Sequence, residues 1–134
     1  MVAVNDAHIL GETTVNGFLS AHNASFTDLN INGTANLFNC VVKEDVEIRG
    51  YLLASSTEFK SKVNVYSNSI KFINSKVSGD LHFLHTTSKK QVVYLDNNSK
   101  ISGNIIFDND NGEVILKGNS TVDGKIIGGR VIKN

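Results

Sequence analysis

Proline and tryptophan are absent from the 134-residue chain, and Cys40 is its only cysteine. A single cysteine excludes an internal disulfide and any zinc site built from several cysteines. Cys40 alternates with Val42 in a strand-like run. We therefore interpret it as a small buried side chain and not as a reactive thiol.

An excess of one charge and a long apolar run are missing as well. The 13 Lys and Arg residues balance 13 Asp and Glu residues, so the formal net charge is zero. Nucleic-acid-binding proteins normally carry a basic patch or stripe, so no nucleic-acid partner is predicted. No run of about 18 apolar residues occurs, so no membrane span is predicted. The first residues lack the charged start and apolar run of a signal peptide.

Asparagine, serine and threonine are abundant instead. Asparagine tolerates left-handed backbone and forms hydrogen bonds with its own chain. A proline-free chain rich in asparagine, with many isolated apolar residues, suits short strands joined by tight corners. Intrinsic disorder is the rival interpretation, and the frequent Val, Ile, Leu and Phe residues argue against it.

One internal repeat dominates the sequence, with an apolar residue, any residue, glycine, any residue and a second apolar residue. Six of the 11 glycines occupy its central position. These repeat glycines are Gly17, Gly33, Gly50, Gly79, Gly103 and Gly124. Apolar positions two residues apart share one face of a strand, and this spacing excludes a helix.

The repeat predicts an all-β domain, a single-stranded parallel β-helix of about seven coils. Each coil buries its apolar side only by stacking on its neighbours, and parallel crossovers favour the right-handed form. We assign residues 13–134 to this β-helix and residues 1–12 to an N-terminal segment that caps it or covers its sheet. The repeat glycines are interpreted as stacked equivalents that let the chain bend close to the axis. An antiparallel sandwich or barrel is the alternative, because Asn16-Gly17 and Asp123-Gly124 are typical hairpin dipeptides.

The repeats around Gly17, Gly50 and Gly79 resemble those of the bactofilins, a family of polymer-forming cytoskeletal β-helices in bacteria. The resemblance covers about residues 13–128 and implies a self-assembling bacterial scaffold. Coils after Gly79 are longer than bactofilin coils, through loops at residues 84–91 and 108–112. The asparagine and serine content is more typical of an exported bacterial protein, so export is favoured over the cytoplasm.

Three patterns suggest site chemistry, and each has a simpler explanation. His82 and His85 are three residues apart and face opposite sides of a regular strand, so zinc is not predicted. The loop from Asp108 to Gly112 is similar to a calcium loop, but its fifth position is glycine where an oxygen ligand is needed. Asp80 and Asp123 lie in different columns about two coils apart, which does not suit a glycosidase pair. We therefore predict no metal, no cofactor and no catalytic residue.

Some apolar residues fall at outward positions of the predicted strands. They are Phe18, Tyr51, Leu53, Ile106 and Ile127. Such a surface indicates cover by the N-terminal segment or an interaction face. A homo-oligomer could form through this sheet face or through the terminal coil, whose backbone groups lack partners.

The leading hypothesis is a non-enzymatic scaffold protein that self-assembles. A surface module that binds carbohydrate or host material is the second hypothesis. A small enzyme that acts on polysaccharides is the third.

Overall fold

The computed structural model of the chain describes residues 1–84 and 90–134. These residues contain 17 strands and no helix. The strands are β1 (Val2–Asn5), β2 (His8–His22), β3 (Ser25–Phe38), β4 (Val41–Val42), β5 (Val46–Ser55), β6 (Glu58–Phe59), β7 (Val63–Val65), β8 (Ser69–Ile73), β9 (Lys76–Val77), β10 (Leu81–Phe83), β11 (Val92–Asp96), β12 (Lys100–Ile101), β13 (Ile105–Phe107), β14 (Gly112–Leu116), β15 (Thr121–Val122), β16 (Ile126–Ile127) and β17 (Gly129–Lys133).

Every strand pairing among the described residues is parallel, and the strands stack as a β-solenoid of about seven turns. This confirms the predicted parallel β-helix and excludes the antiparallel sandwich. The right-handed sense of the coil stays a prediction. No described helix is long and apolar enough to cross a lipid bilayer.

Each coil has three sides, and equivalent sides of successive coils form three stacks of strands. Stack 1 follows the register of Leu29, Val46, Val63, Leu81, Ile105 and Ile126. Stack 2 follows the register of Leu19, Ala35, Leu52, Ile70, Val93, Val114 and Val131. Stack 3 follows the register of Phe26, Val42, Phe59, Val77, Ile101 and Val122. We call the outward sides of these stacks face 1, face 2 and face 3.

The interior is a continuous apolar core, because every inward position of one coil lies on an inward position of the next. Phe26, Phe59, Phe72 and Phe83 are fully buried. Phe83 stacks on Phe107 with ring centroids 4.7 Å apart, and Phe59 meets Phe72 edge to face at 5.7 Å. Aromatic pairs in these geometries add stability beyond the area that they bury.

The six repeat glycines occupy two corners of the coil, so the prediction of one column is wrong. Gly17, Gly33 and Gly50 are in register at the corner between stacks 1 and 2. Gly79, Gly103 and Gly124 lie at the corner between stacks 3 and 1, where a Cβ on Gly103 would meet the Gly79 carbonyl at 2.5 Å. The same pattern of apolar residue, glycine and apolar residue occurs at both corners, because each corner connects an inward position of one strand to an inward position of the next. Sequence spacing alone cannot separate them.

The third corner, between stacks 2 and 3, carries left-handed residues that the glycine pattern did not reveal. Positive φ angles recur there at Asp6, Asn23, Asn39, Ser56, Asn74, Asn97, Asn98 and Asn119. The Asn39 amide donates to Asn23 Oδ1 at 2.6 Å, and the Asn23 amide donates to Asp6 Oδ1 at 3.1 Å. Asparagine reaches this conformation at low cost and bonds along the stack. The abundance of asparagine is thus a property of the fold.

A ladder of buried hydroxyl groups lies inside the same corner. The backbone N–H of Thr57 donates to Ser75 Oγ at 3.1 Å, and the N–H of Ser75 donates to Ser99 Oγ at 3.1 Å. The N–H of Ser99 donates to Ser120 Oγ at 3.0 Å. Ser75 and Ser99 are each 1 % exposed. Each hydroxyl therefore accepts a backbone hydrogen that the turn of the chain would leave unpaired.

We expect Ser75→Ala to lower the free energy of unfolding by about 1–3 kcal/mol, since the buried N–H of Thr57 loses its acceptor. Ser78→Ala is the matched control, because Ser78 is exposed and its substitution should change stability by about 0.5 kcal/mol or less. Urea unfolding followed by circular dichroism measures both. Equal effects at the two serines would contradict the ladder.

Residues 1–12 belong to the stack and do not cover a sheet face. β1 pairs in register with the end of β2, from Val2 opposite Leu19 to Asn5 opposite His22. The start of β2 pairs with β3 from His8 onward. The described β-helix therefore begins at Val2, and the predicted boundary at residue 13 lies inside its first coil.

Candidate functional site

The five residues of the predicted interaction face do not form one surface. Phe18 and Tyr51 lie in one outward column of stack 2, and Leu53 lies in the next column. Ile106 and Ile127 lie on face 1, in register with His82. The prediction failed here because it placed all six glycines at the same corner.

Among the described coils, face 2 carries more outward apolar residues than face 1 or face 3, and seven consecutive rungs each contribute to it. Its outward apolar residues are Phe18, Phe38, Tyr51, Leu53, Ile73, Val92, Tyr94, Ile115 and Ile132. Phe38 is 50 % exposed, and Tyr51 and Tyr94 are 39 % and 36 % exposed. Thr34, Ser69 and Lys71 lie between some of these side chains. Val92, Tyr94, Ile115 and Ile132 are neighbours on three successive rungs. Single exposed apolar residues are common, whereas such a group marks a contact surface.

Sequence reasoning missed Val92, Tyr94, Ile115 and Ile132 on this face. They lie in runs such as Val92-Val93-Tyr94-Leu95, where inward and outward positions are both apolar. Continuous apolar strands are typical of parallel sheets that are covered on both sides. That signal was present in the sequence, but the glycine repeat does not occur on these strands.

Faces 1 and 3 are more polar. The outward column of face 1 begins with Thr14, Asn30, Glu47, Asn64 and His82, and only its last two rungs carry Ile106 and Ile127. Face 3 presents Lys43, Glu58, Lys60, Lys76, Ser78, Lys100 and Ser102. The outer surface is therefore asymmetric, with one apolar side and two largely polar sides.

The two ends of the stack expose core positions. Val131 is 42 % exposed, although Val114, its equivalent one coil earlier, is fully buried. Val2 is 42 % exposed, although its neighbour Leu19 is fully buried. An apolar cavity of about 430 Å³ opens at the last coil, and Val122, Ile126 and Val131 contribute to its lining.

A cluster of three charged side chains lies at the corner between stacks 1 and 2, near the last coil. Glu113 is 7 % exposed and accepts hydrogen bonds from Arg130 Nη2 at 2.7 Å and Arg130 Nε at 3.1 Å. Lys90 Nζ lies 3.0 Å from the same carboxylate oxygen. The Arg130 and Lys90 side chains hold the pKa of Glu113 below its ordinary value. Both cations contact one carboxylate, and the three side chains border a cleft of about 430 Å³ that Asp110 also lines.

The carboxylates named in the sequence are not brought together. Asp80 begins the stack 1 side of its coil, and its Oδ1 accepts the backbone hydrogen of Asn104 at 2.8 Å. Asp123 follows stack 3 two coils later, where its N–H donates to the carbonyl of Ile101. Lys100 Nζ lies 3.3 Å from Asp123 Oδ2. These carboxylates serve the corners and the surface in the described coils.

Of the two metal patterns of the sequence, the histidine pair lies only partly within the described residues. His85 lies outside the described residues, and His82 Nε2 is 2.8 Å from Asp108 Oδ1. Asp110 adopts left-handed backbone with φ of 55° in the turn between β13 and β14. Within residues 1–84 and 90–134, no three His, Cys, Asp or Glu side chains are grouped closely enough to hold a metal ion.

Cys40 is buried as predicted, at 1 % exposure. Its Sγ lies 3.4 Å from the carbonyl oxygen of Phe38 and 3.5 Å from that of Ala21. Burial raises the pKa of the thiol, which opposes formation of a reactive thiolate.

Comparison of the chain with protein-family models, with curated proteins and with solved structures gives no match in any of the three.

Proposed function

We propose that this protein is a structural scaffold whose copies stack end to end, with the last coil of one copy against the first coil of the next. The observation that carries the proposal is the open core. Val131 and Val2 occupy inward positions that are fully buried one coil further into the stack, yet each is 42 % exposed.

Burial of these end residues supplies a driving force, because removing apolar surface from water contributes about 25 cal/mol per Å². The backbone supplies direction. The outer edges of the end strands present N–H and C=O groups without sheet partners, and such edges pair readily with another chain. A head-to-tail arrangement continues the parallel ladder that joins every coil of the stack.

Head-to-tail contact joins two different surfaces, and because each added copy continues the same stack, it gives an open filament and not a closed ring. Lys133 limits this assembly, because it occupies the inward position that Leu116 occupies one coil earlier. Inward-pointing charges on edge strands are a known protection against uncontrolled pairing. Its aliphatic stem can pack while the ammonium group reaches water.

A scaffold made of such filaments requires no catalytic residue. The resemblance to bactofilins implies the same role. The proposal uses the ends of the stack, whereas the carbohydrate-binding hypothesis would use a sheet face, so the two are separable by experiment.

Light scattering and electron microscopy across a concentration series test the proposal. We expect the protein to form elongated particles that grow with concentration. Val131→Lys should abolish this growth, because it places a charge in the stacking surface. Val2→Lys should do the same at the other end. Lys133→Leu should promote growth at lower concentration.

Val41→Lys is the matched control, because Val41 is half-buried, faces outward and lies far from both ends. Circular dichroism verifies that each variant keeps its β structure. Absence of elongated particles from the unmodified protein at the highest concentration would overturn the proposal. So would growth of Val131→Lys and Val2→Lys to the extent of Val41→Lys.

A further inference from the structure

Face 2 differs from the other two faces in a way that stacking at the ends does not explain. It carries at least one outward apolar side chain on each of seven consecutive rungs, from Phe18 on β2 to Ile132 on β17. End-to-end contact leaves this surface in water. Its strands β11 and β14 also have the composition of strands that are buried on both sides.

We infer that face 2 pairs with face 2 of a second copy of this chain, so that two solenoids pack sheet against sheet. The occupant follows first from the size and shape of the surface. With β1 added to the seven rungs that carry apolar residues, stack 2 has eight rungs. At about 4.8 Å per step and about five residues per strand, they give a footprint of about 34 Å by about 17 Å, or about 580 Å². Two copies together bury about 1,150 Å², which exceeds the roughly 1,000 Å² of a specific interface.

The chemistry of the face also suits a second sheet. The half-buried side chains of the face are Leu53, Ile73, Val92, Ile115 and Ile132. Tyr51 and Tyr94 are more exposed. Two sheets pack about 10 Å apart by interdigitating such residues.

Charges of both signs lie on this face. Glu113 and Arg130, in the outward column of Val92, are hydrogen-bonded to each other, and Lys90 contacts the same carboxylate oxygen. Asp96 is in register with Ile73. Lys71 is the remaining cation at the centre of the face, next to Tyr94 in register. An interface with few charges at its centre and aromatic residues among its apolar side chains is typical of homodimers.

The experiment uses the full chain with Val131→Lys, in which end-to-end stacking is blocked, so that the two contacts are measured separately. We expect analytical ultracentrifugation to show a dimer whose population rises with concentration. Adding Ile115→Lys should weaken the dimer at least about tenfold, since it places a charge between the apolar side chains of Tyr94 and Ile132 in the same outward column.

Ile106→Lys is the matched control. Ile106 and Ile115 are both outward-facing, half-buried isoleucines on three-sided coils, but Ile106 lies on face 1. Its substitution should leave the dimer unchanged. Circular dichroism and urea unfolding confirm that both variants fold.

A monomer at every concentration in the Val131→Lys protein would overturn the pairing, and so would equal weakening by Ile106→Lys and Ile115→Lys. Binding of a β-linked oligosaccharide by that monomer, lost in Ile115→Lys, would overturn it in favour of a carbohydrate surface. Dimers without filaments in the unmodified protein would support the pairing and remove end-to-end stacking. Filaments that are unaffected by Ile115→Lys, together with a monomeric Val131→Lys protein, would support end-to-end stacking and overturn the pairing of face 2.

Discussion

Gly33→Ala should lower the free energy of unfolding by about 2–6 kcal/mol, because two costs combine. The backbone of Gly33 has φ of 135°, outside the range that side chains adopt at low cost, and such strain costs about 1–3 kcal/mol. A Cβ at this position would also fall against the carbonyl group of Gly17 in the neighbouring coil. Forcing an atom into close-packed structure costs about 1–3 kcal/mol more.

Gly17→Ala separates the two costs. Gly17 has φ of 117°, but a Cβ there would have no heavy atom within 4 Å, because Gly17 lies on the outer coil of its column. Only the backbone strain applies, so we expect a loss of about 1–3 kcal/mol. Urea unfolding of the two variants gives the difference. Equal losses at Gly17 and Gly33 would contradict the close stacking of coils at this corner.

Phe72→Ala is the second substitution with a large expected effect. Phe72 is fully buried in the middle of the stack and meets the edge of Phe59. Its truncation removes apolar contacts and leaves a cavity between coils that cannot collapse, so we expect a loss of about 3–5 kcal/mol. That loss is a large part of the total stability of an ordinary domain.

Phe38→Ala is its control, because Phe38 lies in the same stack of strands, two rungs from Phe72, and is 50 % exposed. We expect a loss of about 1 kcal/mol or less, measured at low concentration so that association of face 2 does not contribute. Calorimetry or urea unfolding gives both values. A similar loss at the two positions would mean that Phe72 is not part of a packed core.

The architecture was predictable from the sequence because its evidence is local. Apolar residues two apart place one side of each strand inward, and stacking is the way for such short strands to bury it. The tight corners were predicted from asparagine in the same way, and the structure confirms left-handed backbone at Asn23, Asn39 and Asn74. The burial of Cys40 followed from its alternation with Val42.

The candidate surface was predictable only in part, because it depends on which corner each repeat occupies. Tyr51 and Leu53 were placed correctly on face 2, and Ile106 and Ile127 were not. From Gly50 to Gly79 the chain advances by more than one coil and turns from one corner to another. Nothing in the repeat marks this change, since each corner joins two inward apolar residues through a glycine.

By itself, the sequence determined the strand period, the stacking of coils and the chemistry of the corners, because these depend on residues a few positions apart. Only the tertiary structure decided which outward residues share a face, which serine hydroxyl receives which backbone hydrogen, and where the core is left open. Contacts between coils join residues 16 to 26 positions apart in the sequence, as the hydrogen bonds of Asn39 with Asn23 and of His82 with Asp108 show. Their register depends on the length of every intervening corner and loop, and a local pattern does not contain that information.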